Sequence, residues 1–430
     1  MRQRSRRSVM RYFLCVAGLA AFQAGCSTGQ PAAAAIAPLD DSATFNNPHS
    51  VDPHDAMNRA AIQSHVIQLI DATPGGATIR ISTFIFASVT YRDALLAAHA
   101  RGVNVQLLVD ASLTHDTPGT SFFDLANGLG RDVSQPSFAV LCPAGRGCIG
   151  SGIDHAKFFL FSSTSGRSKV VVQTSANMID HVDKGNSGLT SWNNAVTLVD
   201  EPVIYDAYVT RFTNMRDNKT GTAYSSTAGI NAKVYFFPRP AADPTSSTAS
   251  TVLGILHNID CSGRNTTGGY GPNHLTSIHV AMFELFDENI AKELWALDDA
   301  GCVVHVVRTN VGTGDDNAIA KLNDCDAHNG VTIDSIHYRV NGDDNNPDAD
   351  ESIGFLHSKY LVIDGYYNDS PDQRLLWTGS YNYTVSALKR NDETLLKISN
   401  HDEIFDAFQR NFQTLVKQSY STTQAGSCSS

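Results

Sequence analysis

The sequence predicts an α/β fold made of two similar lobes, and three repeated features support this prediction. A polar phrase occurs twice: His155-Ala-Lys157 is followed by Ser175-Ala-Asn177, and His357-Ser-Lys359 is followed by Ser380-Tyr-Asn382. A strand, helix, strand pattern also occurs twice, and each copy ends in a similar amphipathic helix. The copies are offset by 199 to 205 residues throughout, which indicates an internal duplication.

The first repeated element is a pair of apolar strands around a helix-like stretch. Residues 79–84 and 101–109 form this pattern in the first copy, and residues 278–283 and 300–307 repeat it in the second. Such a strand, helix, strand unit is typical of a parallel sheet. We therefore expect each lobe to contain parallel strands.

The closing helices mark the ends of the two copies. Residues 205–212 and 405–412 carry the same spacing of aromatic residues around an Asp-Ala pair. We place the first lobe at residues 44–225 and the second at residues 226–430. A Pro-rich and then Ser/Thr-rich stretch at 238–251 has the composition of a linker or surface crossover.

An export signal precedes the lobes. Five arginines lie within residues 2–11, and an apolar run follows over residues 12–22. This run is too short to span a bilayer. We expect residues 1–26 to be the signal of a secreted or periplasmic protein and residues 27–43 to be a flexible leader. Ala24-Gly25-Cys26 resembles the end of a lipoprotein cleavage site, so one alternative is a lipid anchor at Cys26. The other is cleavage near the alanines at 32–35, which gives a freely secreted protein.

The chain is acidic. It contains 32 Lys and Arg against 43 Asp and Glu; without the five basic residues of the signal, 27 stand against 43, a net charge of −16. Nucleic-acid binding depends on neutralising phosphates with Lys and Arg. The net charge therefore disfavours nucleic acid as a partner, although it does not rule out a local basic pocket.

Six cysteines follow the signal, and an even number in an exported chain favours disulfides. Cys142 and Cys148 flank a short loop and are expected to pair. Cys302 with Cys325 is the second pairing that we expect, and the last pair stays open. No Cys/His spacing is typical of a zinc site, so we expect no metal and no cofactor.

The repeated phrase has a clear chemical use. Alternate residues of a strand share a face, so His155 and Lys157 are expected to point the same way, as are His357 and Lys359. Two such sets supply two histidines, which suits a two-step displacement. One neutral imidazole attacks phosphorus while the other, protonated, gives its proton to the leaving oxygen. Lysines and asparagines would stabilise charge on the non-bridging oxygens.

The second copy carries a family resemblance. His357-Ser-Lys359, Asp364, Gly379-Ser380-Tyr-Asn382 and Glu393 together resemble the His-x-Lys-x4-Asp signature of the phospholipase D superfamily. The resemblance covers residues 44–417 and is strongest to exported, two-lobed bacterial members. It implies a duplicated α/β sandwich with mixed sheets and an active site at the lobe interface. It also implies metal-independent phosphodiester cleavage through a phosphohistidine.

The resemblance implies a role for each residue of the phrase. His155 would be the nucleophile and His357 the general acid. The side chains that would bind phosphate are Lys157, Lys359, Asn177, Asn382, Ser175 and Ser380.

The first copy departs from the signature at three positions. Ser162 replaces the signature aspartate that the second copy has as Asp364, and Thr174 replaces a glycine. Strand parity turns Ser162 away from the imidazole, so that change concerns local support. Asn194 replaces Glu393, and these two are the candidates for orienting the imidazoles. A carboxylate favours the imidazolium and an amide does not, so the assignment of nucleophile and acid stays open.

We expect a phospholipase D that hydrolyses or transfers the phosphatidyl group of a phosphatidylcholine-like lipid at a membrane surface. A nuclease of the same superfamily is the main alternative, and a catalytically impaired binding protein is the third. Both lobes lie in one chain, so we expect a monomer. His181 with Asp183, Asp110, and the polar stretch 342–351 are interpreted as loop or turn residues, without a calcium site.

Overall fold

The structure is a computed structural model that describes residues 39–112, 117–180, 188–222, 224–239, 250–262, 265–310, 316–322, 331–337 and 354–421. The predicted signal, most of the leader, His181 with Asp183, Cys325, Cys428 and the stretch 342–351 lie outside the described residues. Within the described ranges, no helix is long and apolar enough to cross a membrane.

The two halves follow each other along the chain. The first half contains β1 (Ser42–Phe45), α1 (Ala61–Asp71), β2 (Thr78–Thr83), β3 (Phe86–Ala87), α2 (Val89–Ala100), β4 (Asn104–Val109), α3 (Ser121–Leu129), β5 (Phe138–Leu141), β6 (Phe158–Thr164), β7 (Arg167–Thr174), β8 (Met178–Ile179), β9 (Ser191–Trp192), β10 (Asn194–Leu198) and α4 (Pro202–Arg216). The second half contains β11 (Ser225–Ala228), β12 (Ala232–Phe237), α5 (Thr251–Leu256), β13 (Ser277–Met282), α6 (Glu288–Asp299), β14 (Val303–Asn310), α7 (Asp316–Leu322), β15 (Thr332–His337), β16 (Phe355–Leu356), β17 (Lys359–Tyr367), β18 (Ser370–Gly379), α8 (Val385–Lys389), β19 (Glu393–Ser399), α9 (Asp402–Gln418) and β20 (Tyr420–Ser421).

Each half contains one large mixed sheet. The strand orders are β1-β10-β7-β6-β2-β4-β5 and β11-β12-β19-β18-β17-β13-β14-β15-β20. In each sheet three neighbouring strands are parallel, β2 with β4 and β5, and β13 with β14 and β15. The neighbours on the other side pair antiparallel. The predicted strand, helix, strand units and the duplicated α/β fold with mixed sheets are confirmed.

The closing helices α4 and α9 join the two halves. Each contacts strands of both sheets. Phe212 of α4 and Phe412 of α9 are fully buried in one hydrophobic cluster with Phe158 of the first sheet and Val362 of the second. Burying each such side chain contributes about 1.5–3 kcal/mol. The halves therefore share a core, and the site at their interface rests on packed elements.

The exact lobe boundaries stay a prediction. β1 begins at Ser42, within the stretch predicted as a leader, and β11 opens the second sheet at Ser225. The Ser/Thr-rich end of the predicted linker has a structural use, because the Ser250 hydroxyl accepts a hydrogen bond from the backbone N–H of Leu253 and caps α5.

Two disulfides form among the described cysteines, and one differs from expectation. The Cys142–Cys148 bridge is confirmed. Cys302 pairs with Cys261, with Cα atoms 4.8 Å apart, so the expected Cys302–Cys325 pair is wrong. The reason is local packing: the turn that follows α5 lies against the end of α6, where the Cys261 sulfur also contacts the carbonyl oxygen of Leu297. Cys302 follows that helix end directly.

Removing the Cys261–Cys302 disulfide is expected to lower the free energy of unfolding by about 4 kcal/mol. The bridge joins residues 41 apart and so constrains much of the unfolded chain. The Cys142–Cys148 bridge joins residues only 6 apart and is expected to contribute about 2 kcal/mol. Urea denaturation of the two double-alanine variants measures both losses. A larger loss from the short bridge would contradict the chain-entropy explanation.

Candidate active site

A pocket of about 460 Å³ lies between the two halves and contains both histidines of the repeated phrase. Much of its lining consists of equivalent residues from the two halves: Phe84 and Phe283, His155 and His357, Asn177 and Asn382. The predicted histidines and asparagines are therefore brought together at the lobe interface.

Each histidine segment is held by the opposite half. The backbone N–H of His155 donates to the carbonyl oxygen of Asp392 over 2.9 Å, and the N–H of His357 donates to that of Trp192 over 2.9 Å. Asp154 and Asp392 form a parallel bridge, and β16 pairs in parallel with β9. This exchange of backbone contacts sets the position of both imidazoles.

The exchange also explains a difference from the strand prediction. The histidines and Lys157 precede the regular strands, because β6 begins at Phe158 and β17 begins at Lys359. Where the segment before His155 meets the second half, the backbones approach so closely that a Cβ on Gly150 would lie 2.1 Å from the carbonyl oxygen of Arg390. The histidine segments therefore pair with the opposite half and not with their own sheets.

His155 is oriented by a carboxylate. Its Nδ1 lies 2.8 Å and 3.0 Å from the two carboxylate oxygens of Glu393, and the residue is buried. Because an ionised carboxylate only accepts, Nδ1 carries the proton and Nε2 is the reactive nitrogen. Burial lowers the pKa of His155 below its usual value; Glu393 opposes this shift and Lys157 adds to it.

His357 is oriented by an amide. Its Nδ1 lies 3.0 Å from Asn193 Oδ1. The Asn193 nitrogen donates to the Ser191 hydroxyl and to the carbonyl oxygens of Gly188 and Ser191, which assigns the amide oxygen to the imidazole. Nδ1 therefore carries a proton here too. Burial holds the pKa of His357 well below its usual value, and the ammonium group of Lys359 adds to the effect.

The amide partner of His357 is Asn193, whereas the sequence suggested the next residue, Asn194. The backbone N–H of Ser175 donates to the carbonyl oxygen of Asn194, and the N–H of Ser380 donates in the same way to that of Thr394. Asn194 is therefore equivalent to Thr394, and its preceding neighbour is equivalent to Glu393. Sequence offset alone could not show this, because the spacing between copies changes by a few residues along the chain.

The two serines of the phrase lie behind the orienting side chains. The Ser175 hydroxyl donates to Asn193 Oδ1 over 2.8 Å, and the Ser380 hydroxyl donates to Glu393 Oε2 over 2.5 Å. Both serines are fully buried. These hydrogen bonds give the serines a part in positioning Asn193 and Glu393, and the phosphate contact that the resemblance implied for them stays a prediction.

The two lysines place positive charge beneath the histidine segments. Lys157 Nζ donates to the carbonyl oxygen of His155 over 2.7 Å, and Lys359 Nζ donates to that of His357 over 2.6 Å. Burial lowers the pKa of Lys157 to about 8 and holds that of Lys359 well below its usual value. A bound phosphate anion would oppose both shifts and favour the charged ammonium groups.

The remaining candidates support the fold. Asp364 accepts the backbone N–H of Gly269 over 2.9 Å, and Ser162 accepts that of Thr78 over 2.8 Å. Neither residue lines the pocket. Asp110 accepts backbone N–H groups through both carboxylate oxygens, in agreement with its interpretation as a turn residue.

Replacing Asn193 by aspartate is expected to extend activity to higher pH. The added charge would raise the pKa of His357, whose value is lowered by burial, by about 1 unit or more. If His357 must be protonated to act as the acid, activity is lost as pH rises through its pKa. The alkaline limb of kcat/KM against pH therefore moves upward. Asn194→Asp is the matched control; an equal shift there would contradict the assigned partner.

The geometry agrees with comparisons to known proteins. A family model described as "Cardiolipin synthase, PLD-like domain" matches residues 66–216 and 274–416. Each matched segment contains one histidine phrase and one closing helix. The chain belongs to the phospholipase D superfamily.

One protein matches this superfamily member over part of its length, and one solved structure is similar to it in fold. The mitochondrial cardiolipin hydrolase of Xenopus laevis is 36% identical over 69 residues, which is 16% of this chain and 29% of that protein. Less than a third of that relative's length is therefore matched. The structure of phosphatidylserine synthase from Haemophilus influenzae Rd KW20 has a TM-score of 0.54 at 10% identity and covers 86% of this chain and 88% of its own.

The structure of the polyphosphate kinase of Porphyromonas gingivalis is as similar to this chain as that of the phosphatidylserine synthase. Its TM-score is 0.54 at 11% identity, with 87% of this chain and 50% of that chain covered. At such identities the likeness shows the fold alone. It agrees with the two-lobed α/β architecture of this phospholipase D superfamily chain.

Several residues of the site were missed by sequence reasoning, and three of them lie beside the imidazoles. Asn193 was hidden by the change in offset. Phe84 and Phe283 directly follow β2 and β13, and their ring centroids lie 5.4 Å and 4.9 Å from those of the imidazoles of their own halves. Because these two phenylalanines lie at equivalent positions in the two copies, the sequence could have indicated that both belong to the site.

Proposed function

We propose that the protein is a phospholipase D, which cleaves the head-group ester of glycerophospholipids and transfers the phosphatidyl group to water or an alcohol. The observation that carries this proposal is the pair of buried imidazoles at one pocket, each with its Nδ1 proton held by a side chain of the opposite half. Two similar proteins are named for phospholipid chemistry, a cardiolipin hydrolase and a phosphatidylserine synthase.

The reaction needs two steps. The lone pair on His155 Nε2 attacks phosphorus, the bond from phosphorus to the alcohol oxygen breaks, and the His357 imidazolium gives that oxygen its proton. Water or an alcohol then attacks phosphorus while neutral His357 takes its proton, and the bond from phosphorus to Nε2 of His155 breaks. Phosphatidic acid or a phosphatidyl alcohol leaves, His155 is neutral again and His357 is protonated again. Lys157, Lys359, Asn177 and Asn382 stabilise charge on the non-bridging oxygens.

The charges around the two imidazoles support this division of roles. An imidazole that is phosphorylated on Nε2 and protonated on Nδ1 carries a positive charge, and Glu393 lies where it would stabilise that charge. His357 has only a neutral partner and a lowered pKa, so its proton leaves more readily. Binding of the phosphate anion would supply the negative charge that favours its protonated form before reaction.

A lipid substrate agrees better with the charge of the chain than a nucleic acid does. The two lysines of the repeated phrase are buried, Arg390 donates a hydrogen bond to the pocket residue Ser386, and the whole chain has a net charge of −11. A nuclease would need further cations for the neighbouring phosphates of its substrate. Phenylalanine and isoleucine side chains line the pocket instead, which suits an amphipathic lipid.

Purified protein incubated with phosphatidylcholine and ethanol tests the proposal. We expect phosphatidylethanol and free choline, because the phosphatidyl group on His155 can be taken by an alcohol. Cleavage of DNA without any lipid product would favour the nuclease of the same superfamily. Absence of both activities would favour a catalytically impaired binding homologue.

We also propose that residues 1–26 direct export and that the protein acts as a monomer. Two disulfides are typical of an oxidising compartment. Both halves of the site lie in one chain, so no second copy is needed to complete it. Membrane fractionation of wild type and Cys26→Ser tests for a lipid anchor: loss of membrane association in the variant supports one.

A further inference from the structure

The pocket is not symmetric, because Ile85 and Glu284 occupy equivalent places in the two halves. The carbonyl oxygen of Ile85 accepts the N–H of Met178 over 3.1 Å, and that of Glu284 accepts the N–H of Tyr383 over 3.0 Å. Each follows the phenylalanine that contacts the histidine of its half, and each lines the pocket. One half therefore presents an alkyl group where the other presents a carboxyl group.

The carboxyl group of Glu284 lines the pocket, but a negatively charged group does not bind a phosphate anion. Its Oε2 accepts a hydrogen bond from Asn382 Nδ2 over 2.8 Å. Burial raises the pKa of this carboxyl group, and the ammonium group of Lys359 opposes the shift. In its ionised form the group repels phosphate, and a cation beside it favours that form. The charge is useful if the substrate itself brings a cation.

The aromatic lining is concentrated in the same half. Phe283, Phe286 and Phe355 line the pocket together with Glu284, whereas Phe84 is the phenylalanine that the first half contributes to the lining. The ring centroids of Phe283 and Phe355 lie 5.8 Å apart. Aromatic faces attract cations, and aromatic rings are the usual protein surroundings of quaternary ammonium groups. A carboxyl group among such rings adds direct charge attraction.

The chemistry places the leaving alcohol in that half. In a displacement at phosphorus, the leaving oxygen lies opposite the attacking nitrogen and next to the proton donor. With His155 attacking, the leaving oxygen lies beside His357, whose ring contacts Phe283 at 4.9 Å and Phe355 at 6.1 Å. The head group released by a phospholipase D is therefore directed toward Glu284.

We propose that Glu284, with Phe286 and Phe355, forms a subsite for a cationic head group, an alcohol that carries an alkylammonium group. This inference rests on the proposed function and deepens it. Glu284 is a specificity-determining residue: it binds the ammonium group and takes no part in proton transfer. Ile85 occupies the equivalent backbone position in the first half, so an uncharged isoleucine is a suitable replacement for Glu284.

Kinetic comparison of two lipids tests the subsite. Wild type, Glu284→Gln, Glu284→Ile and the exposed control Glu403→Gln are assayed on phosphatidylcholine and phosphatidylglycerol in matched micelles. We expect both Glu284 variants to lower the choline to glycerol ratio of kcat/KM about tenfold or more, mainly through KM for phosphatidylcholine. Because glutamine can still accept the hydrogen bond from Asn382, the change measured in Glu284→Gln reports the removal of the charge alone. An unchanged ratio in both variants overturns the subsite and leaves the phospholipase D proposal intact.

A binding measurement keeps the subsite testable without lipid turnover. Choline is titrated into wild type and the Glu284 variants by calorimetry. We expect binding to wild type and at least tenfold weaker binding to both variants. If wild type cleaves no phospholipid yet binds choline through Glu284, the enzyme proposal fails and the subsite stands. If wild type does not bind choline, or the variants bind it equally well, the subsite is wrong.

Discussion

Replacing His155 or His357 by alanine is expected to lower kcat/KM for phosphatidylcholine by about 10³-fold or more. Each substitution removes one partner of a two-step displacement, the nucleophile or the proton donor, and such groups act as a unit. The double variant is therefore expected to be no less active than the worse single variant. Steady-state choline release measures all three, and His99→Ala, an exposed histidine outside the pocket, is the matched control.

A change of leaving group separates the two histidines. A diester that releases p-nitrophenolate, a weak base, needs little help from a proton donor. His357→Ala is therefore expected to release a rapid burst of about one p-nitrophenolate per enzyme and then turn over slowly, because the second step still lacks its base, whereas His155→Ala gives no burst. A burst from His155→Ala alone would reverse the roles, and full activity of either variant on phosphatidylcholine would contradict the shared site.

Replacing Arg211 by methionine is expected to lower the free energy of unfolding by about 3–5 kcal/mol. The guanidinium group lies 2.7 Å from Asp392 Oδ1 and also donates to the carbonyl oxygen of Phe237. The two side chains of the ion pair are only 2% and 0% exposed, so the variant leaves a buried carboxylate without its cation. Asp392 directly precedes Glu393, and we expect activity to fall as well. Urea denaturation gives the stability change.

The same helix supplies a control for the Arg211 result. Arg216, also in α4, pairs with Asp217 at 2.7 Å, but the side chains are 29% and 31% exposed. Exposed ion pairs contribute little, so Arg216→Met is expected to change stability by less than about 1 kcal/mol. Comparable losses in the two variants would mean that burial of the Arg211 pair is not what stabilises the interface.

The duplicated fold could be predicted because strand and helix periodicity survive in both copies. The offset between residues 79–84 and 278–283 agrees within one residue with that between the closing helices, and β2-α2-β4 and β13-α6-β14 follow the predicted order. The meeting of His155 and His357 in one pocket followed from the same repeat. These features depend on local patterns, which the sequence carries directly.

The contacts across the interface could not be predicted in the same way. Glu393 orients the histidine of the other half, and Asn193 does the same in return, because each histidine segment pairs with the opposite half. No local pattern encodes which half a side chain serves. Cys302 pairs with Cys261 for a similar reason, since the packing of a turn against a helix end decides the partner.

In the proposed mechanism His155 forms the covalent intermediate and His357 transfers protons. Rapid quenching of the wild-type enzyme during turnover of phosphatidylcholine labelled with ³²P, followed by peptide mapping under alkaline conditions, tests it most directly. We predict label on the peptide that contains His155. Label on His357, or active enzyme without any phosphohistidine, would contradict the proposed mechanism.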